Sequence, residues 1–272
     1  MAIFKDKISI VTGGASGIGR GLVGELASRG AKVVLADING DAAKKAAEML
    51  NGEDGNVKPA TLDVTDYVAV KKLVDDTVSE YGRLDYMFNN AGVAMFGEAR
   101  DYSYEDWRKV IDVDLYGPVN GVAAAYGVMV EQGFGHIVNT ASIGGMIPAT
   151  HLTSYVTSKY GIVGLSHTLR MEGAALGVKV SVVCPGLIRT AMYESPCIRL
   201  DQTKLLNDAP KGMPPEKCAR VILKGVERNK ATIIVTLPAK IAYILHRISP
   251  NLMIYLGSKV VGKTRKSYRV EN

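Results

Sequence analysis

A doubly wound α/β fold, with a mostly parallel seven-stranded sheet and helices on both faces, is what this sequence predicts. Three observations carry the expectation. Short runs rich in Val, Ile and Leu alternate along the chain with longer stretches of helical period. The runs are apolar at consecutive rather than alternate positions, the pattern of strands covered on both faces. The segments between them are long enough for the right-handed crossovers that parallel strands require.

The strands fall at 7–12 (KISIVT), 32–37 (KVVLAD), 56–63 (NVKPATLD), 84–90 (LDYMFNN), 135–140 (GHIVNT), 179–184 (KVSVVC) and 231–236 (ATIIVT). Helices are expected near 18–29, 41–50, 66–81, 104–131, 154–175 and 215–229. Ser103, with Asp106 three positions later, makes a capping-box-like start for the fourth. No linker, low-complexity tract or short repeat interrupts the chain. Residues 1–238 therefore read as one domain and 239–272 as a C-terminal extension.

Of 272 residues, 47% are hydrophobic, which is ample for one large core. The three cysteines have no C-x-x-C spacing and their odd number argues against a disulfide framework. The four histidines show no metal-ligand spacing, so no metal is expected. The N-terminus runs straight into a strand without a leader-like apolar core, and no uninterrupted apolar stretch approaches the roughly 18 residues of a spanning helix. A cytoplasmic protein is expected. The net charge of +6 is local: 239–272 holds seven basic residues and one acid, 7 − 1 = +6, and the remainder balances at 26 − 26 = 0. A balanced body argues against a nucleic-acid surface.

The run VTGGASGIGRG follows the first strand and opens the first helix. Gly13, Gly17 and Gly19, with Ser16 and Ile18 between them, give a tight turn, a backbone able to approach a pyrophosphate closely, and helix N–H groups aimed at an anion. Asp37 ends the second strand, where a carboxylate accepts hydrogen bonds from a ribose diol and repels a 2′-phosphate, so NAD is expected rather than NADP. The fold is then Rossmann-type, and 1–238 a dinucleotide-binding and catalytic domain. Further on, Tyr155 and Lys159 stand one helical turn apart. A fixed ammonium beside a phenol favours the phenolate and makes it a usable acid or base near neutral pH.

Together with LDVTD (62–66), NNAG (89–92), TASIGG (140–145), YVTSK (155–159) and PGLIRT (185–190), these motifs come in an order that resembles the short-chain dehydrogenase/reductase family, single-domain NAD-dependent type, from residue 7 to about 236. The resemblance implies that Asp63 and Val64 contact adenine, that Asn90, Ala91 and Gly92 line the cofactor cleft, and that Pro185, Gly186, Ile188 and Thr190 seat the nicotinamide. It implies further that Ser142 hydrogen-bonds the substrate oxygen, that Tyr155 is the general acid/base, and that Lys159 holds the nicotinamide ribose and lowers the Tyr155 pKa. Where the family usually has Asn, this chain has Asp114. That position works largely through its backbone carbonyl, so activity is expected to survive, with the pH profile open. A homotetramer or homodimer is expected on the same ground.

The segments 143–152 and 187–198, expected to close over substrate, carry Met146, Ile147, Leu152, Met192 and Ile198. They suit a hydrophobic secondary alcohol or ketone: steroid-like, retinoid-like, long-chain or aryl. His151 is expected at the pocket rim. The alternatives are an NADP-linked carbonyl reductase, opposed by Asp37, and a non-catalytic dinucleotide sensor, opposed by the Ser142, Tyr155 and Lys159 set. In the extension, Ser249 is expected to cap a helix with Pro250 in its first turn. Its apolar stretches flanked by basic residues fit either packing on the protein or peripheral contact with a membrane.

Overall fold

Each predicted apolar run pairs with its neighbours as a parallel strand. The computed structural model describes residues 3–51 and 55–270, the side chain of Tyr193 apart. The strands are β1 (Ile8–Thr12), β2 (Lys32–Asp37), β3 (Val57–Thr61), β4 (Tyr86–Asn89), β5 (Gly135–Thr140), β6 (Val178–Cys184) and β7 (Thr232–Ile234). They form a seven-stranded sheet in the order β3-β2-β1-β4-β5-β6-β7. Pro59 is accommodated because β3 is an edge strand, where a missing N–H costs no ladder bond on the open side.

Register explains the unbroken hydrophobicity of the strands. Val34, Ile10, Met87 and Ile137 align in one row across β2, β1, β4 and β5. Leu35, Val11, Phe88 and Val138 align in the next and face the other way. The first row is covered by α3 (Tyr67–Tyr81) and α5 (Gly117–Gln132) through Val70, Val74, Val122 and Met129. The second is covered by α1 (Gly17–Ala27), α2 (Gly40–Leu50) and α8 (Pro215–Glu227) through Leu22, Leu26, Ala46 and Ile222. Truncating Leu22 or Ile222, each 0–1% exposed, falls in the class of core deletions costing about 2–5 kcal/mol.

The remaining helices are α4 (Tyr104–Ile111), α6 (Thr153–Gly173), α7 (Gln202–Asp208), α9 (Leu237–Ile248) and α10 (Pro250–Tyr268). The capping box of Ser103 and Asp106 forms as expected. The single helix expected over 104–131 is instead two, joined by a π-helical turn at Asp112–Tyr116 in which the Gly117 N–H bonds to the Asp112 carbonyl. The sequence reading missed α7, whose N-cap Asp201 accepts from the Lys204 N–H at 2.9 Å. Pro250 does sit in the first turn of α10, but the Ser249 side chain makes no cap bond, because the chain passes directly out of α9 there. The first turn of α9 starts at Leu237, ahead of the expected boundary, under a Thr236 cap.

The strand order reverses direction between β1 and β4. At such a switch point the crossovers leave on opposite faces, and a crevice opens at the strands' C-terminal ends.

Candidate active site

That crevice, about 330 Å³, contains Gly13, Ser16, Gly17, Ile18, Asp37, Asp63, Val64, Asn90, Ala91, Gly92, Ser142, Tyr155, Lys159, Pro185, Gly186, Ile188 and Thr190 in its walls. These are the residues picked out from the sequence, with two exceptions. Gly19 does not line it. A Cβ there would stand 2.0 Å from the Gly13 carbonyl oxygen, so Gly19 lets α1 close against the loop rather than touch a ligand. Asp114 lies beneath the floor, fully buried.

The loop after β1 is built to receive an anion. Gly13 has φ +62°, the left-handed region that favours glycine, and a Cβ there would meet Ala91 Cα at 2.8 Å. Ser16 occupies the N-cap of α1 but makes no side-chain cap bond, so the first-turn N–H groups stay open towards the crevice. At the far end, the Asp37 carboxylate is held by the Ala15 N–H (3.1 Å) and the Asn39 N–H (3.1 Å). Ile38, Leu62 and Val64 give that end an apolar lining. The cradle, the open helix end and the fixed carboxylate fit the pyrophosphate, ribose and adenine of a nicotinamide dinucleotide.

Thr12 was not foreseen as a site residue. Its Oγ1 accepts from the N–H groups of Asn90 (2.9 Å) and Ala91 (3.1 Å), and the Asn90 amide donates to the Thr12 carbonyl at 3.0 Å. This lashes the end of β4 to β1 and sets the crevice width. The threonine that opens the TGGASGIG run was the only signal for it.

The opposite end gathers Ser142, Tyr155 and Lys159. Helix α6 puts Tyr155 and Lys159 one turn apart, with Lys159 Nζ 5.3 Å from the Tyr155 ring centroid. Ser142 follows β5; its Oγ accepts from the Gly144 N–H at 3.1 Å, which fixes its rotamer in a 3₁₀ turn. Lys159 Nζ donates to the Thr140 carbonyl at 3.3 Å and lies 3.0 Å from Asp114 Oδ2, as an ion pair rather than a well-directed hydrogen bond. Asp114 Oδ1 accepts from the Val93 N–H at 2.7 Å. The π turn brings this carboxylate inward, and Pro118 removes the N–H that would close an α-turn onto the Asp114 carbonyl.

These contacts set opposing influences on Tyr155. Burial raises the Tyr155 pKa; Lys159 and hydrogen bonding to Ser142 pull it down, Asp114 pushes it up, and the net is above the ordinary phenol. Lys159 acts in the expected direction but does not prevail. Burial disfavours the Lys159 ammonium, yet Asp114 and Tyr155 outweigh that and its pKa is raised. Burial raises the Asp114 carboxyl against the pull of Lys159.

Of the five apolar residues expected to wall the substrate, only Met192 lines the crevice. Met146 turns into the core beside Ala141 and Ile162. Leu152 bridges to Gly97, and the Ile198 N–H bonds to the Phe96 carbonyl at 2.7 Å, so both knit the adjoining loops together. His151, held at φ +60°, hydrogen-bonds Thr264 of α10 at 2.8 Å.

A family model described as short chain dehydrogenase matches residues 7–196. The levodione reductase of Leifsonia aquatica is 34% identical over 201 residues, covering 73% of this chain and 75% of the relative. The 3-oxoacyl-[acyl-carrier-protein] reductase of Thermotoga maritima is 35% identical over 221 residues, covering 80% and 89%. Among solved structures, a short-chain dehydrogenase/reductase from Burkholderia phymatum in complex with NAD superposes with a TM-score of 0.83 at 25% identity, covering 92% of this chain and 95% of that one.

Proposed function

This chain is an oxidoreductase of the short-chain dehydrogenase/reductase family, and from that premise we propose that it interconverts a hydrophobic secondary alcohol and its ketone using NAD(H). The observation that carries the reading is one crevice with Ser142, Tyr155 and Lys159 at one end and a fixed Asp37 carboxylate at the other. The dinucleotide, when bound, accepts or supplies the hydride. Tyr155 Oη takes the alcohol proton during oxidation and returns one during reduction. Ser142 Oγ supports the substrate oxygen where charge develops. Lys159 holds the nicotinamide ribose and opposes the burial that raises the Tyr155 pKa. Relatives named as a levodione reductase and a 3-oxoacyl reductase support carbonyl chemistry, and Met192, Val93 and Val113 in the walls support an apolar substrate. The expected setting is a cytoplasmic homo-oligomer that reaches membranes only peripherally, through its C-terminal helices. A screen of secondary alcohols and ketones, followed by absorbance of reduced nicotinamide, tests the reading; turnover confined to sugars or free acids would overturn it.

NAD(H) is expected to bind more tightly than NADP(H). Asp37→Ser removes charge-assisted bonds to the ribose diol and should weaken NAD(H) about 10- to 100-fold while narrowing the gap. Titration of both cofactors checks this, and parental NADP(H) affinity at or above that of NAD(H) rejects it.

Asp114→Asn should keep turnover within about tenfold, because the amide retains an acceptor for the Val93 N–H and the backbone carbonyl is unchanged. Loss of the negative charge lets Tyr155 ionise more easily, so the pH profile of oxidation should move to lower pH. An unmoved profile would show that the carboxylate does not reach the phenol electrostatically.

A further inference from the structure

Helices α9 and α10 wear their apolar residues on the outside. Leu237, Ile241, Ile244 and Ile248, spaced i, i+4, i+7, i+11, are each half or more exposed. Along α10, Leu252, Leu256 and Val260, spaced i, i+4, i+8, are each about half exposed, as are Ile254 and Tyr255. The less exposed positions are Ala239, Ala242, Tyr243 and His246, then Met253, Gly257, Val261 and Thr264. Isolated exposed apolar residues are ordinary, whereas this many along two successive helices mark a docking surface.

The surface is held in place rather than frayed. Arg265 makes two bonds of 2.9 Å to Glu98, Arg269 reaches Asp101 at 2.8 and 3.1 Å, and Tyr268 bonds Asp208 at 2.7 Å. With the His151–Thr264 bond, these anchors all lie in residues 264–269, so the exposed apolar residues ahead of them are left free.

Charge decides the occupant. No Asp or Glu stands between Glu227 and Glu271. Beside Ile244, a cleft of about 390 Å³ between α8, β7 and α9 has a mostly apolar lining, Val221, Ile233, Ile234 and Tyr243 among it, with Lys224, Arg228, Lys230 and Lys240 also in its walls. Among the described residues none of these four cations has a carboxylate partner. A second copy docked isologously would bring no acidic residue of 228–270 to pair with these cations. No described helix is long and apolar enough to cross a membrane. A surface both apolar and anionic satisfies every feature.

We propose that the α9–α10 face docks on an anionic lipid surface, with Lys224, Arg228, Lys230 and Lys240 seating a lipid phosphate. This rests on the peripheral-contact reading and supplies its surface, its lipid charge and its headgroup seat. The apolar residues enter the acyl boundary while the cations meet the headgroups.

The full chain is sedimented with vesicles of pure phosphatidylcholine and of phosphatidylcholine with 30% phosphatidylserine (a chosen composition, about a third anionic). Binding is expected to the anionic vesicles, falling at least tenfold between low and high salt. Ile241→Ser with Ile244→Ser, and separately Lys230→Glu with Lys240→Glu, should each cut it at least tenfold with turnover of a soluble substrate unchanged. Equal binding to both vesicles would overturn the anionic docking while leaving peripheral contact standing. No binding to either would end both, without touching the dehydrogenase reading, which is measured in solution. If the isoleucine pair instead dissociates an oligomer seen by light scattering and leaves vesicle binding intact, the face is a protein interface and the proposal is wrong. If charge reversal leaves anionic binding intact, the headgroup seat is wrong.

Discussion

Tyr155→Phe is expected to lower turnover by roughly 10²–10⁴-fold, the contribution of one positioned acid/base group. The substitution isolates the hydroxyl. The ring stays, and with it the 5.3 Å approach of Lys159 Nζ to its face. The Asp114–Lys159 pair sits behind the ring and is untouched, and the phosphate loop lies at the other end of the crevice. NAD(H) affinity should therefore change by less than a few fold, so the loss appears in kcat and not in cofactor binding. Single-turnover kinetics beside a cofactor fluorescence titration separate the two. A variant within tenfold of the parent would mean that the proton moves through another group.

Lys159→Ala should damage stability as well as turnover. Asp114 is 0% exposed and Lys159 only 2%. Removing the ammonium leaves a buried carboxylate with the Val93 N–H as its remaining hydrogen bond, a loss of about 3–5 kcal/mol for breaking a buried pair. The direction with pH follows. Burial already raises the Asp114 pKa, and without Lys159 nothing of comparable size opposes it. A carboxyl whose folded pKa exceeds its unfolded value favours the fold while protonated, and that advantage fades as pH rises through the folded pKa. The deficit of the variant should thus grow with rising pH. Combining Lys159→Met with Asp114→Asn removes both charges, and should regain most of the stability and none of the activity. Denaturant melts at two pH values, paired with turnover, check this. A double variant as unstable as Lys159→Ala would show that the orphaned charge is not the cause.

What the sequence disclosed and what it withheld divide along a physical line. The strands were readable because parallel pairing buries both faces, as the two rows through Ile10 and Val11 show. The phosphate loop and the Tyr155–Lys159 spacing were readable because each lies within one local element. The contacts that tune the site are long-range. Val93 reaches Asp114 over 21 positions, Asn90 reaches Thr12 over 78, and Arg265 reaches Glu98 over 167, distances at which no periodicity carries information. Substrate-facing residues failed for a related reason. Met146 and Leu152 are as apolar as Met192, and only the path of the loops decides which of them faces the crevice. The break in the long helix did leave a trace, in Pro118 four residues after Asp114.

The π turn at Asp112–Tyr116 can be regarded as a phase shifter. One residue in an α-helix corresponds to about 100° of rotation, so a single inserted residue rotates everything after it by that angle. Upstream, α4 buries Val110 and lies along α6; downstream, α5 turns Val122, Ala125 and Met129 to the sheet and to α3. One uninterrupted helix would present a single set of faces, and those two partners would then compete for it. The insertion lets one rod address both, and the residue at the shift is Asp114. Winding the same residues as an unbroken α-helix would rotate everything after the turn by about 100°, swing Met129 off the sheet and move Asp114 relative to Lys159 in one step. The alignment of the core and the electrostatics around Tyr155 are thereby coupled through one peptide unit, and neither can drift without the other.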